Sequence, residues 1–382
     1  NIDSFEPGST FKVFAMATAL AAKSVRPTDT IYCEEGRMPI DNVVIHDTHP
    51  SKWLNPTQII QISSNIGIAK ISLGLGGQKL YEGLRRFGFG TATALPLPGR
   101  VSGTLRPRGR PWVPVETAAA AFGQGVSVTN VQLTMALAAL ANKGRLLEPI
   151  IVKKITDSTG IVLHEASPKV RRRVVSPRIA RLLAEMMSSV TEGEGTGIEA
   201  AIPGFRVAGK TATAQKIDPA TGRYNDTHYV ASFMGFVPAA RPRLVVSVVI
   251  DEPMAGKTSG GSVAGPVFRR VVEMSLRYLG VRPRGTRSMN LAKLAKTPKE
   301  RKGTNAAARV TEPVPVAAYT GRGGVRVPKL QGQAVRSAVQ ALVEAGLIPV
   351  VRGSGRLART EPPTGTRVAR GSKVTLVFEP QT

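Results

Sequence analysis

Apolar positions change their spacing several times along the chain, and each change marks an element. Residues 9–22 are almost continuously apolar after a Pro7-Gly8 break, which predicts a buried helix that stops at Lys23. Residues 55–73 read as a second helix. It opens at Asn55-Pro56, because proline suits the first helical position, and Ile59, Ile60, Ile62, Ile66 and Ile68 form its apolar side. Residues 132–142 are apolar and end before Gly144, and residues 178–190 place Ile179, Leu182, Leu183, Met186, Met187 and Val190 on one helical face. The period then shortens. Residues 205–215, 229–237 and 244–250 read as strands separated by short turns, as in an antiparallel meander, and residues 263–279 read as a closing helix. Helices in the middle and an antiparallel sheet late predict an α+β domain over residues 1–279.

A different texture follows. Residues 280–324 carry Pro, Gly, Thr, Ala and many cations without a lasting hydrophobic period, and predict a basic flexible linker. Residues 325–382 form a small separate unit. It has a short helix over 334–345 that ends at Gly346, strands over 347–352 and 373–378, and turns at Gly353, Gly355, Pro362, Pro363, Gly365 and Gly371.

Composition narrows the function. The chain has 382 residues with 42% hydrophobic residues, enough for sizeable cores and against global disorder. Its formal charge is +26, distributed as +12 over residues 1–279, +8 over 280–324 and +6 over 325–382. Such an excess raises the question of nucleic acid, but 5% aromatics and no reading motif argue against specific nucleic-acid binding. The linker charge reads as a solvated, self-repelling spacer, and spacer plus tail suit an anionic wall polymer or membrane surface. Cys33 is the sole cysteine, which excludes an internal disulfide framework and a cysteine-rich zinc module. No apolar run reaches the roughly 18 residues of a membrane span. The first residue is Asn1 rather than Met, so the sequence reads as a piece of a longer or processed chain with any anchor upstream.

Chemistry concentrates in three places. Ser9-Thr10-Phe11-Lys12 sits at a helix start, so Ser9 and Lys12 share a face. A serine hydroxyl needs a base beside it, and a lysine whose pKa is lowered by burial or neighbouring cations can be that base. Ser63-Ser64-Asn65 puts polar groups into an apolar helical stretch, where a cleft would satisfy them. Lys210-Thr211-Ala212-Thr213 lies on the first late strand. Alternation there puts Lys210 and Ala212 on one side, and Thr211 and Thr213 on the other.

Two rival patterns compete. Gly204-x-x-x-x-Gly209-Lys210-Thr211 fits a phosphate-binding loop, and Leu244 to Ile250 followed by Asp251-Glu252 resembles an apolar strand ending in a magnesium-holding acid. The context fails, because no good strand precedes Gly204 and no helix follows Thr211. His46-Asp47-Thr48-His49, with Cys33 upstream, raises a metal, but the spacing fits no closed site.

The order Ser9…Lys12, Ser63…Asn65, Lys210-Thr211 resembles the penicillin-binding protein and serine β-lactamase set. Glu6-Pro7-Gly8-Ser9-Thr10-Phe11-Lys12, Ser63-Ser64-Asn65-Ile66-Gly67, residues 122–129 and residues 209–216 narrow the likeness to class B penicillin-binding proteins of the division type. Residues 325–378 resemble a single PASTA domain. The resemblance implies a peptidoglycan D,D-transpeptidase fold, an antiparallel sheet flanked by helices, followed by a small α/β PASTA domain. It implies a serine acyl-enzyme in septal cell-wall synthesis. Ser9 would attack the D-Ala-D-Ala carbonyl, Lys12 would take the proton, Ser63 would relay protons and Asn65 would hold the substrate amide. Lys210 would supply positive potential, and Thr211 and Thr213 would grip the terminal carboxylate. The N–H groups of Ser9 and Thr213 would form the oxyanion hole. β-Lactams would trap the same serine, and no metal or organic cofactor is implied. Implied partners are stem peptides, a membrane glycosyltransferase and other division proteins, with the catalytic domain outside the bacterial inner membrane. A β-lactamase or β-lactam sensor of the same fold, or an inactive wall-binding scaffold, are the alternatives. Two departures stand out. The family pattern has Gly where Ala212 stands, so an added methyl is expected to face the cleft. Family members also carry strands and a helix before the nucleophile helix, whereas eight residues precede Ser9 here. The anchor, the upstream domain and part of the fold are therefore expected to be missing, and the late strands to expose an edge.

Overall fold

The helix that begins at Lys12 is the axis of the first of two units. The structure, a computed structural model, describes residues 3–95, 99–105, 112–218, 221–254, 256–283, 324–331, 335–353 and 356–379. The chain divides into two compact units, Asn1–Leu294 and Ala295–Thr382. Most of the expected linker, residues 284–323, lies outside the described residues.

In the first unit the helices are α1 (Lys12–Ala21), α2 (Pro56–Gln61), α3 (Asn65–Leu75), α4 (Gly77–Phe87), α5 (Pro114–Ala121), α6 (Asn130–Ala141), α7 (Pro177–Ser188) and α8 (Gly260–Tyr278). The strands used below are β1 (Ser4–Phe5), β2 (Val128–Thr129), β3 (Arg145–Leu147), β4 (Val170–Arg173), β5 (Ala208–Ile217), β6 (Tyr224–Val237) and β7 (Leu244–Asp251). Residues 12–20 of α1 are all buried, which is why its sequence is apolar on every side. Phe11, Phe14, Phe87 and Phe89 interlock there with ring centroids 4.7–6.0 Å apart. Truncating Phe14 to alanine would cost about 3–5 kcal/mol through the cavity it leaves.

The helix expected over residues 55–73 is two helices. Ser63 has φ +64°, a left-handed conformation that no right-handed helix can pass through. Ser64 then caps α3 by accepting the Gly67 N–H at 2.9 Å. The break lifts Ser63 out of the helical stack. The expected helix from residue 9 is also subdivided: Ser9 lies on a 3-10 turn, Gly8–Phe11, and the α-helix starts at Lys12.

β5, β6 and β7 form the expected antiparallel meander in that order, with Lys210 opposite Met234 and Ser232 opposite Val249. α8 packs on one face, where the Phe233 and Phe268 rings lie 4.6 Å apart. Buried Met234 and Phe236 join the helical core on the other face. β6 begins at Tyr224, five residues before the expected start, because the hairpin runs out to the Ile217–Tyr224 pair through polar residues that hide its period. Among the described residues β5 and β7 are the sheet's edges, as expected of the late strands. The short β1–β2 pair was not legible in the pattern; it joins Ser4 to Thr129 and Phe5 to Val128.

The second unit has α9 (Val335–Glu344) on a sheet of β8 (Ile348–Gly353), β9 (Arg356–Glu361) and β10 (Lys373–Glu379). β10 is central, parallel to β8 and antiparallel to β9. Ala338, Leu342, Leu347, Val374, Leu376 and Phe378 make its core. β9 was absent from the sequence reading because a register shift between Leu357 and Arg359 breaks its alternation.

Candidate active site

The turn that carries Ser9 is clamped by backbone. The Gly8 N–H donates to Gly123 O at 3.2 Å, and the Thr10 hydroxyl donates to Pro7 O at 2.7 Å. Gly123 has φ +82°, and a Cβ there would lie 2.3 Å from Gly8 O, so only glycine lets residues 122–125 press against the turn. Glu6 adds a side-chain tie: its carboxylate accepts the Gly125 N–H at 2.8 Å and the Tyr224 hydroxyl at 3.0 Å. Ser9 emerges half-buried at a cleft of about 390 Å³, which Ser63, Asn65, Thr211, Ala212 and Thr213 also line.

Beneath the cleft lie two lysines with no exposed surface, Lys12 and Lys210. Fully buried lysines are rare, because an ammonium loses its hydration there. Both meet Ser63. Its hydroxyl lies 3.1 Å from Lys12 Nζ and 2.9 Å from Lys210 Nζ, and Lys12 also donates to Ser63 O. Lys210 donates to Thr211 O at 3.2 Å as well. Burial lowers Lys12 from 10.5 to about 7, against an upward pull from Asp47. Burial, and then the charge on Lys12, hold Lys210 well below its ordinary range. Two amines bonded to one oxygen are at most about 6 Å apart, where like charges repel by roughly 3 kcal/mol at an effective dielectric of 20. The pair therefore favours fewer than two protons near neutrality.

Asp47 organises the second motif. It is 9% exposed. It accepts the Ser64 hydroxyl at 2.5 Å and the Ile66 N–H at 3.1 Å, together with the Asn65 N–H. A carboxylate at the start of α3 matches the positive end of the helix, and the remaining Ser64 acceptor caps Gly67. The Asn65 side-chain amide donates to His46 O at 2.8 Å, which fixes its rotamer. The stretch weighed as a metal motif is thus a scaffold: Asp47 caps and His46 orients.

On β5 the two faces separate as alternation predicts. Lys210 reaches Ser63, whereas Thr211 Oγ1 lies 2.7 Å from Thr196 Oγ1 and Thr213 Oγ1 accepts the Gly260 N–H at 3.0 Å. A Cβ at Gly260 would lie 2.2 Å from Ala212 O, so glycine lets the start of α8 sit directly on the strand. Ala212 lines the cleft wall. Its methyl is 3% exposed and packs towards Gly8, where an added Cβ would lie 3.5 Å away, so it sits between the strand and the turn that carries Ser9. The rival phosphate-loop reading fails structurally too, since Lys210 and Thr211 are mid-strand and no helix follows them.

The sequence-predicted residues Ser9, Lys12, Ser63, Asn65, Lys210, Thr211, Ala212 and Thr213 therefore meet around one cleft. Asp47, Ser64, Thr196, Gly260 and the Glu6–Tyr224 tie were not assigned roles there. Of these, Ser64 carried a usable signal, a serine three residues before Gly67 at a helix start.

A serine on a helix-start turn, above two buried lysines bridged by a hydroxyl and beside an edge strand, defines the penicillin-recognising serine fold. The family model "Penicillin binding protein transpeptidase domain" matches residues 2–273, and the PASTA domain model matches residues 325–380. The chain belongs to the class B penicillin-binding proteins, with a C-terminal PASTA domain. It is 39% identical over 283 residues to Probable peptidoglycan D,D-transpeptidase PenA of Neisseria flavescens, covering 74% of this chain and 66% of PenA. It is 33% identical over 373 residues to Stage V sporulation protein D of Bacillus subtilis (strain 168), covering 97% of this chain and 53% of that protein. The apo transpeptidase domain of Burkholderia pseudomallei penicillin-binding protein 3 superposes with a TM-score of 0.67 at 37% identity, over 74% of this chain and 82% of that one. The chain thus spans less than two thirds of these two curated relatives.

Proposed function

We propose that this chain carries the catalytic unit of a peptidoglycan D,D-transpeptidase that cross-links stem peptides in septal cell-wall synthesis. The observation that carries the reading is the Ser63 hydroxyl, 3.1 Å from Lys12 and 2.9 Å from Lys210, beside a cleft that Ser9 enters. Ser9 Oγ attacks the carbonyl carbon of the penultimate D-Ala while its proton passes to neutral Lys12. The oxyanion is held by the Ser9 and Thr213 N–H groups. The C–N bond then breaks, and the departing D-Ala nitrogen takes a proton relayed through Ser63. The product is a Ser9 ester. An amine from a neighbouring stem peptide attacks it, forms the cross-link and returns the proton to the serine. Asn65 orients the donor amide. Thr211 and Thr213 bind the terminal carboxylate in the positive field of Lys210, and Ala212 keeps strand and turn in register. A β-lactam carbonyl enters by the same route and stays as an ester.

In this reading residues 1–279 are catalytic, residues 280–324 are a spacer and residues 325–382 are a PASTA module. The catalytic cleft works on the outer side of the bacterial inner membrane, with a membrane glycosyltransferase supplying strands and other division proteins as partners. Labelling of the full-length protein with a fluorescent penicillin tests it. A stable adduct that disappears in Ser9→Ala supports the reading, whereas rapid steady turnover of nitrocefin, or no adduct beside a labelled control enzyme, overturns it.

A further inference from the structure

A second concave feature lies between helices α4 and α7. Its floor is the end of α1 and the residues that follow it, and its volume is about 1150 Å³. Ala21, Ala22, Ile179 and Leu182 give it a mainly apolar surface over buried Leu20, Val25 and Phe87. The rim is basic: Lys23, Lys79, Arg86, Arg173 and Arg178 stand around it. Lys79 is on α4 and Arg178 on α7, so positive charge faces the groove from both walls.

Positive charge is in excess here. Among the described residues, none of the five forms an ion pair with a carboxylate. Arg26 also lines the groove but pairs with Asp29 at 2.9 Å, and one acid, Glu82, lines it and accepts from the Gln78 amide at 2.7 Å. The charge also continues beyond the rim. β4 carries Arg171, Arg172 and Arg173, and α4 ends in Arg85 and Arg86. Backbone oxygens hold part of this cluster: Arg172 donates to Arg86 O at 2.9 Å, Arg86 to Arg173 O at 3.2 Å and Arg173 to Lys143 O at 3.0 Å. Burial, and then Arg171, Arg85 and Arg86, press the Arg172 guanidinium below its ordinary range. A fold that gathers like charges beside an apolar trough sets up a surface that is complementary to something acidic and amphipathic.

We infer that this groove docks an acidic amphipathic helix of a partner protein, with its apolar stripe on Ala21, Ala22, Ile179 and Leu182 and its carboxylates against the basic rim. The shape is what separates this occupant from others. A trough between two helix walls accepts a helix laid lengthwise, with anchors spaced i, i+3, i+4 and i+7. A lipid surface is met by protruding apolar groups, and a soluble polyanion has no stripe for the apolar floor. The later segments of this chain, +8 over residues 280–324 and +6 over 325–382, are themselves basic and do not complement the rim.

The test uses the full-length protein and fluorescence anisotropy. The probes are a fluorescein-labelled 18-residue helical peptide with leucines at that spacing and flanking glutamates, its glutamine-flanked and lysine-flanked counterparts, and phosphatidylglycerol vesicles. Lys79→Glu/Arg178→Glu is the first variant, because both side chains are exposed and, among the described residues, form no ion pair; Leu182→Asp is the second. The glutamate peptide is expected to bind about tenfold or more tightly than the glutamine peptide at low salt, and to lose at least that factor in either variant or at high salt. Penicillin labelling of Ser9 stays unchanged throughout. Absence of binding by the acidic peptide, equal binding of all three peptides, or vesicle binding without peptide binding overturns the inference.

Discussion

The most revealing perturbation is pH, because the base proposed for Ser9, Lys12, works only as a neutral amine. A lysine in water with a pKa near 10.4 is neutral in about one molecule in 2,500 at pH 7. Burial brings Lys12 down from 10.5 to about 7, where about half the molecules hold a neutral amine. That raises the share of available base about a thousandfold over a solvated lysine. The sign follows directly. Protonation removes the base, so the second-order rate of acylation rises with pH, by about tenfold between pH 6 and pH 8, and levels above pH 8.5. Because Lys12 and Lys210 share Ser63, the midpoint belongs to the pair. Asp47 pulls Lys12 upward, so Asp47→Asn moves the midpoint to lower pH whatever it does to the plateau. Stopped-flow acylation by a fluorescent penicillin from pH 5.5 to 9 measures both curves. A flat profile, a rate that falls with pH, or an upward shift in Asp47→Asn would falsify the argument that a desolvated lysine is the base.

Three other outcomes follow from the same geometry. Ser63→Gly removes the bridging hydroxyl and relieves the left-handed φ of +64°, so acylation falls about a hundredfold or more while stability holds or rises by up to about 1 kcal/mol; acylation kinetics read beside a thermal melt decide it. Lys12→Met abolishes acylation and stabilises the fold at pH 6 by about 1–3 kcal/mol, since a charged amine with no exposed surface is replaced by an apolar group and the lost Ser63 bonds offset part of the gain. Denaturant titration checks this, and a less stable variant would contradict it. Glu6→Ala cuts the tie to Gly125 and Tyr224 and lowers the acylation rate about tenfold at unchanged penicillin affinity, whereas Glu6→Gln keeps the Gly125 contact through its one amide oxygen, donates its N–H to the Tyr224 oxygen and retains most of the rate.

Where a motif and a period coincided, the sequence spoke clearly. The apolar run after Ser9 demanded a buried helix, and that helix fixes Lys12 one turn beyond the serine. The alternation around Lys210 gave the two faces of β5 correctly, because the strand stays regular through the site. Ser63 was misread as helical because a left-handed backbone leaves no mark in a run as apolar as residues 59–68. What forces the break is tertiary: the Asp47 carboxylate, 17 residues from Ser64, gathers the N–H groups that start α3. A lone aspartate between histidines carries no sign of that task. The extension of β6 to Tyr224 and the irregular strand β9 were hidden for a related reason, since polar or bulged residues suspend the period that announces a strand. Ala212 shows the limit of position-by-position comparison. Only the approach of Gly8 to the strand says whether its methyl meets substrate or fills a gap.

The central claim is that Ser9 forms an ester with a D-Ala-D-Ala donor and passes it to an amine. Mass spectrometry of the full-length protein, incubated with a synthetic stem peptide ending in D-Ala-D-Ala and a glycine-ester acceptor, tests it in one experiment. The account predicts a Ser9 peptide heavier by the donor less one D-Ala, decay of that adduct on adding acceptor, and a cross-linked product, all lost in Ser9→Ala. An unmodified Ser9 peptide with intact donor, or product formed equally by Ser9→Ala, would contradict it.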